Sequence, residues 1–128
     1  MGRIIKDLEI NGIKRKAIFD TGSVQSFITE KALPEDAVCI PIESITARIG
    51  GLPHEIKKRC LIPSKLENIN FEFDAFLIDN LGKAQEKGDV DIDIVIGAAT
   101  MEEWGINLYP TEQKLDLHGL IKRQFLCF

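Results

Sequence analysis

Cysteine is scarce in this chain. Cys39, Cys60 and Cys127 are odd in number, widely spaced and without a C-x-x-C pair, so neither a disulfide framework nor a zinc knuckle is indicated. All three are expected to be free thiols. Long apolar runs are also missing: no stretch approaches the roughly 20 residues of a membrane span, and the opening MGRIIKDLEI alternates apolar and polar residues where a secretory leader needs an unbroken apolar core. A membrane partner is not expected, and a cytoplasmic location is the default. Nor is there an excess of positive charge. The formal net charge is -4, with Lys and Arg scattered, which leaves no basic stripe for a phosphate backbone and argues against nucleic acid. The two histidines, His54 and His118, stand far apart with no cysteine at ligand spacing; both read as exposed loop residues, and no metal or other cofactor is expected.

What is present suits a single packed domain over residues 1–128, since 45% hydrophobic and 28% charged residues is ordinary globular usage. The dominant period is two. Ile4, Leu8 and Ile10, then Ile13, Ala17 and Phe19, flank Asn11-Gly12, a dipeptide suited to a type I′ turn, and predict a β-hairpin. After Ser26 a short strand to about Thr29 and one helical turn are expected before Pro34. A second, longer hairpin spans residues 40–62 around Gly50-Gly51-Leu52-Pro53, with Ile45, Ala47 and Ile49 on one arm and Ile56, Cys60 and Ile62 on the other. Ile69, Phe71, Phe73, Ala75 and Leu77 alternate as a core-crossing strand, with Phe76 and Ile78 closing both faces at its end. Residues 79–89 read as a solvated loop. Residues 92–96 form an apolar strand, and 98–104 a single short helix ended by Gly105. Two extended segments, 106–109 and 114–117, precede an apolar tail over 120–128. Met101 and Trp104 lie three apart on the helix and are expected to pack into the core or a dimer interface rather than hold a ligand.

The chemistry-bearing feature is Asp20-Thr21-Gly22-Ser23, directly after the apolar run Ala17-Ile18-Phe19. Alone, such a tetrapeptide is equally the composition of a simple turn. Its company raises its weight: a Gly-tipped hairpin downstream, then Ile94-Val95-Ile96-Gly97 running into the helix.

In this order the three segments resemble the retropepsin family of single-domain aspartic proteases. The resemblance implies an all-β acid-protease fold, a closed barrel with a flap hairpin and one short helix, working as a homodimer on peptide or protein substrates. It assigns Asp20 as the catalytic carboxylate and Thr21 as a brace across the dimer axis. Gly22 would allow close backbone approach, and Ser23 would hydrogen-bond the outer carboxylate oxygen. Ile49, Gly50, Gly51 and Leu52 would form the substrate-covering flap, and Ile96 and Gly97 would sit behind the catalytic loop. Leu52 is open to two readings, substrate-facing or merely exposed.

The chain departs from the viral pattern at Val24 and Gln25, where viral enzymes often carry acids that hold substrate, and at Ala98, where they carry a dimer-stabilising arginine. These departures keep a second class in play, a catalytically inactive protease-like dimer that binds peptides or proteins. Asp89, Asp91 and Asp93 recur at every second residue but lack the glycine and distal glutamate of a calcium loop. They are expected on a solvated strand edge. The 91–95 run also resembles a phosphatase motif, but there the apolar strand precedes the acids and here it follows them. The tail over 120–128 is a candidate interface strand.

Overall fold

A computed structural model of the chain describes residues 2–85 and 89–124. Strands β1 (Arg3–Ile10) and β2 (Ile13–Asp20) pair in antiparallel register. Asn11 and Gly12 both adopt positive φ, 51° and 77°, as a type I′ turn requires. A three-residue strand β3 (Phe27–Thr29) runs into a 3-10 turn at Glu30–Ala32. β4 (Val38–Ile49) and β5 (Leu52–Leu66) make the long hairpin, with Gly50 and Gly51 at φ 58° and 82° in its tip. β5 then reverses through Glu67 and Asn68, also at positive φ, into β6 (Ile69–Ile78). Overlapping the stretch read as a solvated loop, β7 (Lys83–Gln85) and β8 (Asp89–Asp91) form a small separate antiparallel pair. β9 (Ile94–Ile96) leads into helix α1 (Ala98–Trp104), which Gly105 ends at φ 66°. β10 (Asn107–Tyr109) pairs with β11 (Lys114–Asp116).

The main sheet runs β1-β2-β9-β3-β6-β5-β4, and a bridge between Glu9 and Lys65 brings β1 back against β5. The architecture is all-β, as the alternating pattern predicts. Its apolar side chains form two clusters. The larger gathers Leu8, Phe19, Ile28, Ile62, Phe73 and Ile96 with other sealed residues. The smaller centres on Phe27, Ile56 and Ile78, with Ala47, Ile49, Leu81 and Val95 only partly buried around it. β6 feeds both. Phe71, Phe73 and Ala75 point into the larger cluster, while Phe76 and Ile78 meet the smaller one, because the long hairpin covers the other face of β6 at that end.

Four expectations are corrected. Cys39 and Cys60 are disulfide-bonded rather than free. They face each other directly in the β4–β5 register, a proximity created by the hairpin and invisible in a separation of 21 residues. Cys127 lies outside the described residues. A second helix, α2 (His118–Lys122), occupies the start of the supposed interface strand, and its Leu120 is fully buried in the larger cluster; residues 125–128 lie outside the described ones. His54 is on β5, not in a loop, its side chain only 9% exposed and its Nδ1 2.7 Å from Asp79 Oδ1. Asp93 is buried beside Arg15 and Lys31, at 3.8 and 3.9 Å, whereas Asp89 and Asp91 are exposed.

Candidate active site

The site arises where two parallel strands stop level with one another. β2 and β9 run parallel, with Phe19 opposite Ile96, so Asp20 and Gly97 emerge together from the sheet. Phe19 and Ile96 are fully buried and anchor the point of emergence. Beyond Asp20 the chain turns: the Gly22 amide donates to Asp20 Oδ1 at 2.8 Å, and the Ser23 amide donates to the Asp20 carbonyl. The Asp20 carboxylate is thus aimed by its own loop, with 22% of the side chain exposed.

The loop is clamped from behind. Carbonyls of Ser23 and Val24 accept from the amides of Ala98 and Ala99, at 2.7 and 3.1 Å, satisfying first-turn donors of α1 that have no partner inside the helix. Gly97 donates its amide to buried Ser26 Oγ at 3.0 Å, and Ser26 Oγ lies 2.7 Å from Thr100 Oγ1. A Cβ on Gly97 would collide with the Gln25 carbonyl, so the residue must be glycine for the loop to seat. A cleft of about 570 Å³ opens in front, lined by Asp20, Gly22, Ser23, Val24 and Gln25 on one side and by Ala47, Arg48, Ile49 and Gly50 of the long hairpin on the other. Ile18, Phe27 and Val95 also line it.

No protein-family model and no curated protein matches the sequence. Solved structures do match. The retroviral protease-like domain of Ddi1 from Leishmania major aligns with a TM-score of 0.63 over 92% of this chain and 90% of that one, at 17% identity. EIAV protease, solved in complex with the inhibitor HBY-793, aligns with a TM-score of 0.58 over 84% and 92%, at 16% identity. The fold is retropepsin-like.

Within this retropepsin-like frame, Asp20, Gly22, Ser23, Ile49 and Gly50 come together around one cleft, and Ile96 and Gly97 stand behind it. Gly51 and Leu52 complete the hairpin tip, where Leu52 is 66% exposed. Two expected contacts are placed differently. Ser23 Oγ donates to the Gln25 carbonyl at 2.7 Å rather than to the carboxylate. Thr21 Oγ1 accepts from the Gly2 amide at 2.9 Å and is bound to its own chain just ahead of β1.

Sequence reasoning passed over four contributors. Arg3 on β1 brings its Nε 3.6 Å from Asp20 Oδ2, a contact that follows only from the β1–β2 register pairing Arg3 with Asp20. Ser26 and Thr100 are 74 residues apart, and nothing local marks them as partners. Arg48 was readable as a residue two positions before the Gly-Gly turn but carried no motif. A larger hollow of about 650 Å³, reaching Asn11, Phe71, Trp104 and Arg123, contains none of the motif residues and is set aside as an active-site candidate.

Proposed function

We propose that the chain is one half of an aspartic endopeptidase, completed when a second copy brings its Asp20 across a two-fold axis. The observation that carries this reading is Asp20 as the one carboxylate that, among the described residues, lines a cleft of mixed apolar and polar side chains. One carboxylate cannot at once take a proton from water and give one to the scissile carbonyl. Two forced together cannot both ionise easily and so hold one proton between them, an effect for which aspartic proteases are the standard example. The ionised member takes a proton from a bridging water, whose oxygen bonds to the peptide carbon, while the protonated member gives its proton to the carbonyl oxygen. Collapse of the resulting diol breaks the C–N bond, the nitrogen leaves with a proton, and the dyad again holds one.

Other features support assembly. Val24, beside the motif, is 65% exposed, and with Leu52 it offers apolar surface that a second copy would cover. In this proposal Thr21 exchanges its bond to Gly2 for one across the axis. Substrate lies extended between loop and flap as an added strand, and the flap opens to admit it. The location is proposed as cytoplasmic. Among the described residues no helix is long and apolar enough to cross a membrane; the Cys39–Cys60 bond weighs the other way, since reducing compartments keep thiols apart.

A second reading, a peptide-binding dimer without catalysis, is favoured by the Arg3 guanidinium beside Asp20 and by the engagement of the Ser23 hydroxyl at Gln25. One experiment separates the two. The purified chain is incubated with a mixed peptide library between pH 4 and 8, cut sites are read by mass spectrometry, and the mass in solution is measured by sedimentation. The enzyme reading expects cleavage by a species of twice 14.4 kDa. It also expects about a 10²- to 10⁴-fold loss in Asp20→Asn with dimer retained. Cleavage by a strict monomer, or full activity in Asp20→Asn, overturns it; a dimer that binds peptides and cuts none establishes the second reading.

A further inference from the structure

We infer that the Cys39–Cys60 bond is a redox device that sets how firmly one wall of the cleft is held; its consequence for peptide turnover rests on the protease reading above. The bond joins facing residues of β4 and β5. The two strands are held very unequally. β5 is paired on its far side with β6 from Arg59 to Leu66, and His54 ties its outer half to Asp79. β4 ends the sheet order and pairs with β5 alone among the described residues. At its root Val38 and Ile40 are 68% and 57% exposed, so little apolar burial fastens that stretch to the body. Beyond the bond the ladder loses register between Pro41 and Ile45, and the segment that follows, Ala47 to Gly50, lines the cleft beside the Asp20 loop. Among the described residues the disulfide is thus the one cross-link on the strand that walls the cleft.

Breaking the bond leaves the fold standing. Cys60 is 1% exposed within the larger cluster, where a thiol packs as a small apolar side chain, and the β5–β6 ladder does not depend on the cross-link. The change is confined to β4, whose local opening becomes easier once nothing covalent opposes it. Both cysteines pack on the larger cluster, so an attacking thiolate reaches Cys39, the less buried of the two, when β4 lifts from the sheet edge. A dithiol reductant bonds to Cys39 Sγ, the S–S bond breaks, and Cys60 leaves as a thiolate that takes up a proton. The reductant's second thiol then displaces Cys39, which leaves likewise, and the reductant ends as a cyclic disulfide. Two electrons and two protons have passed to the protein. In the cytoplasmic setting proposed above, bonds of this kind are made and broken rather than kept.

The test uses the full chain with Cys127→Ser, so that the bonded pair alone responds. Oxidised and dithiothreitol-reduced samples are compared by hydrogen exchange and by peptide cleavage, and Cys39→Ala supplies a form that cannot close the bond. Reduction should speed exchange over β4 about tenfold or more while β6 keeps its protection, and reoxidation should reverse the change. KM should rise about three- to tenfold with kcat nearly constant, and Cys39→Ala should match the reduced sample and ignore the reductant. A bond that resists the dithiol in the folded protein, unchanged exchange over β4, or protection lost equally in β6 overturns the inference. So does a KM indifferent to redox state while cleavage persists, and the protease reading then stands. If no sample cuts any peptide, the protease reading falls and the exchange pattern alone decides the inference.

Discussion

The two apolar clusters of this all-β fold are built from the same kinds of residue and yet end differently. The larger is sealed: Leu8, Phe19, Ile62 and Phe73 are at most 1% exposed, and α1 and α2 close it through Met101 and Leu120. The smaller has a sealed centre in Ile56 and Ile78, but its margin of Ala47, Ile49, Leu81 and Val95 is partly open and lines the cleft. Burial of apolar surface is what stabilises a fold, so the first cluster should carry most of the stability. The second is left open at the cleft, where the proposed function would place a substrate or a second copy.

The contrast breaks most visibly under truncation. Phe73→Ala removes a sealed ring stacked near Phe71 and should cost about 3–5 kcal/mol in chemical denaturation. Ile49→Ala, at the open margin, should cost about 1 kcal/mol or less and act instead on KM. Equal losses would erase the distinction between the clusters.

Gly97→Ala tests the joint between them. The new methyl meets the backbone of Val24 and Gln25, so the loop must shift, at about 1–3 kcal/mol and with a marked fall in kcat, read from denaturation and kinetics together. A smaller effect is expected at the tip of the long hairpin. Gly51 has open space around it but sits at φ 82°, which a branched side chain tolerates poorly. Gly51→Val should lower turnover severalfold while the melting temperature moves by only a few degrees.

The smallest effect concerns the tether between the long hairpin and the segment after β6. The hydrogen bond from His54 holds the Asp79 carboxyl below its ordinary value of 3.8. The folded state therefore prefers ionised Asp79, and the contribution is present above that ordinary value and lost as pH falls through the lowered one. Asp79→Asn should lower the melting temperature slightly at pH 6, and the gap to wild type should close as pH falls through the lowered value. A gap that persists there would assign the effect to something other than this carboxylate.

Much of the fold was legible because alternation and turn chemistry are local. Asn11-Gly12, Gly50-Gly51 and Gly105 occupy the positive-φ positions their residue types favour, and α1 spans the residues read as helix. The second helix escaped because His118–Lys122 is only five residues long and its apolar members suit a strand equally well. The β7–β8 pair escaped because charged residues and glycine mask a short ladder. The motif around Asp20 was readable as a candidate, but its supports Ser26, Thr100 and Arg3 were not.

By itself the sequence determined which residues face inward, where the chain reverses and which carboxylate is the one to watch, because each depends on neighbours within a few positions. Tertiary structure alone decided that Cys39 meets Cys60, that His54 reaches Asp79, that Asp93 is buried among cations, and that Arg3 and Arg48 share a cleft with Asp20. Periodicity fixes the face a side chain presents but not the strand it faces. That second choice is made by the order β1-β2-β9-β3-β6-β5-β4, in which strands far apart in the chain become neighbours and the ends of β2 and β9 meet.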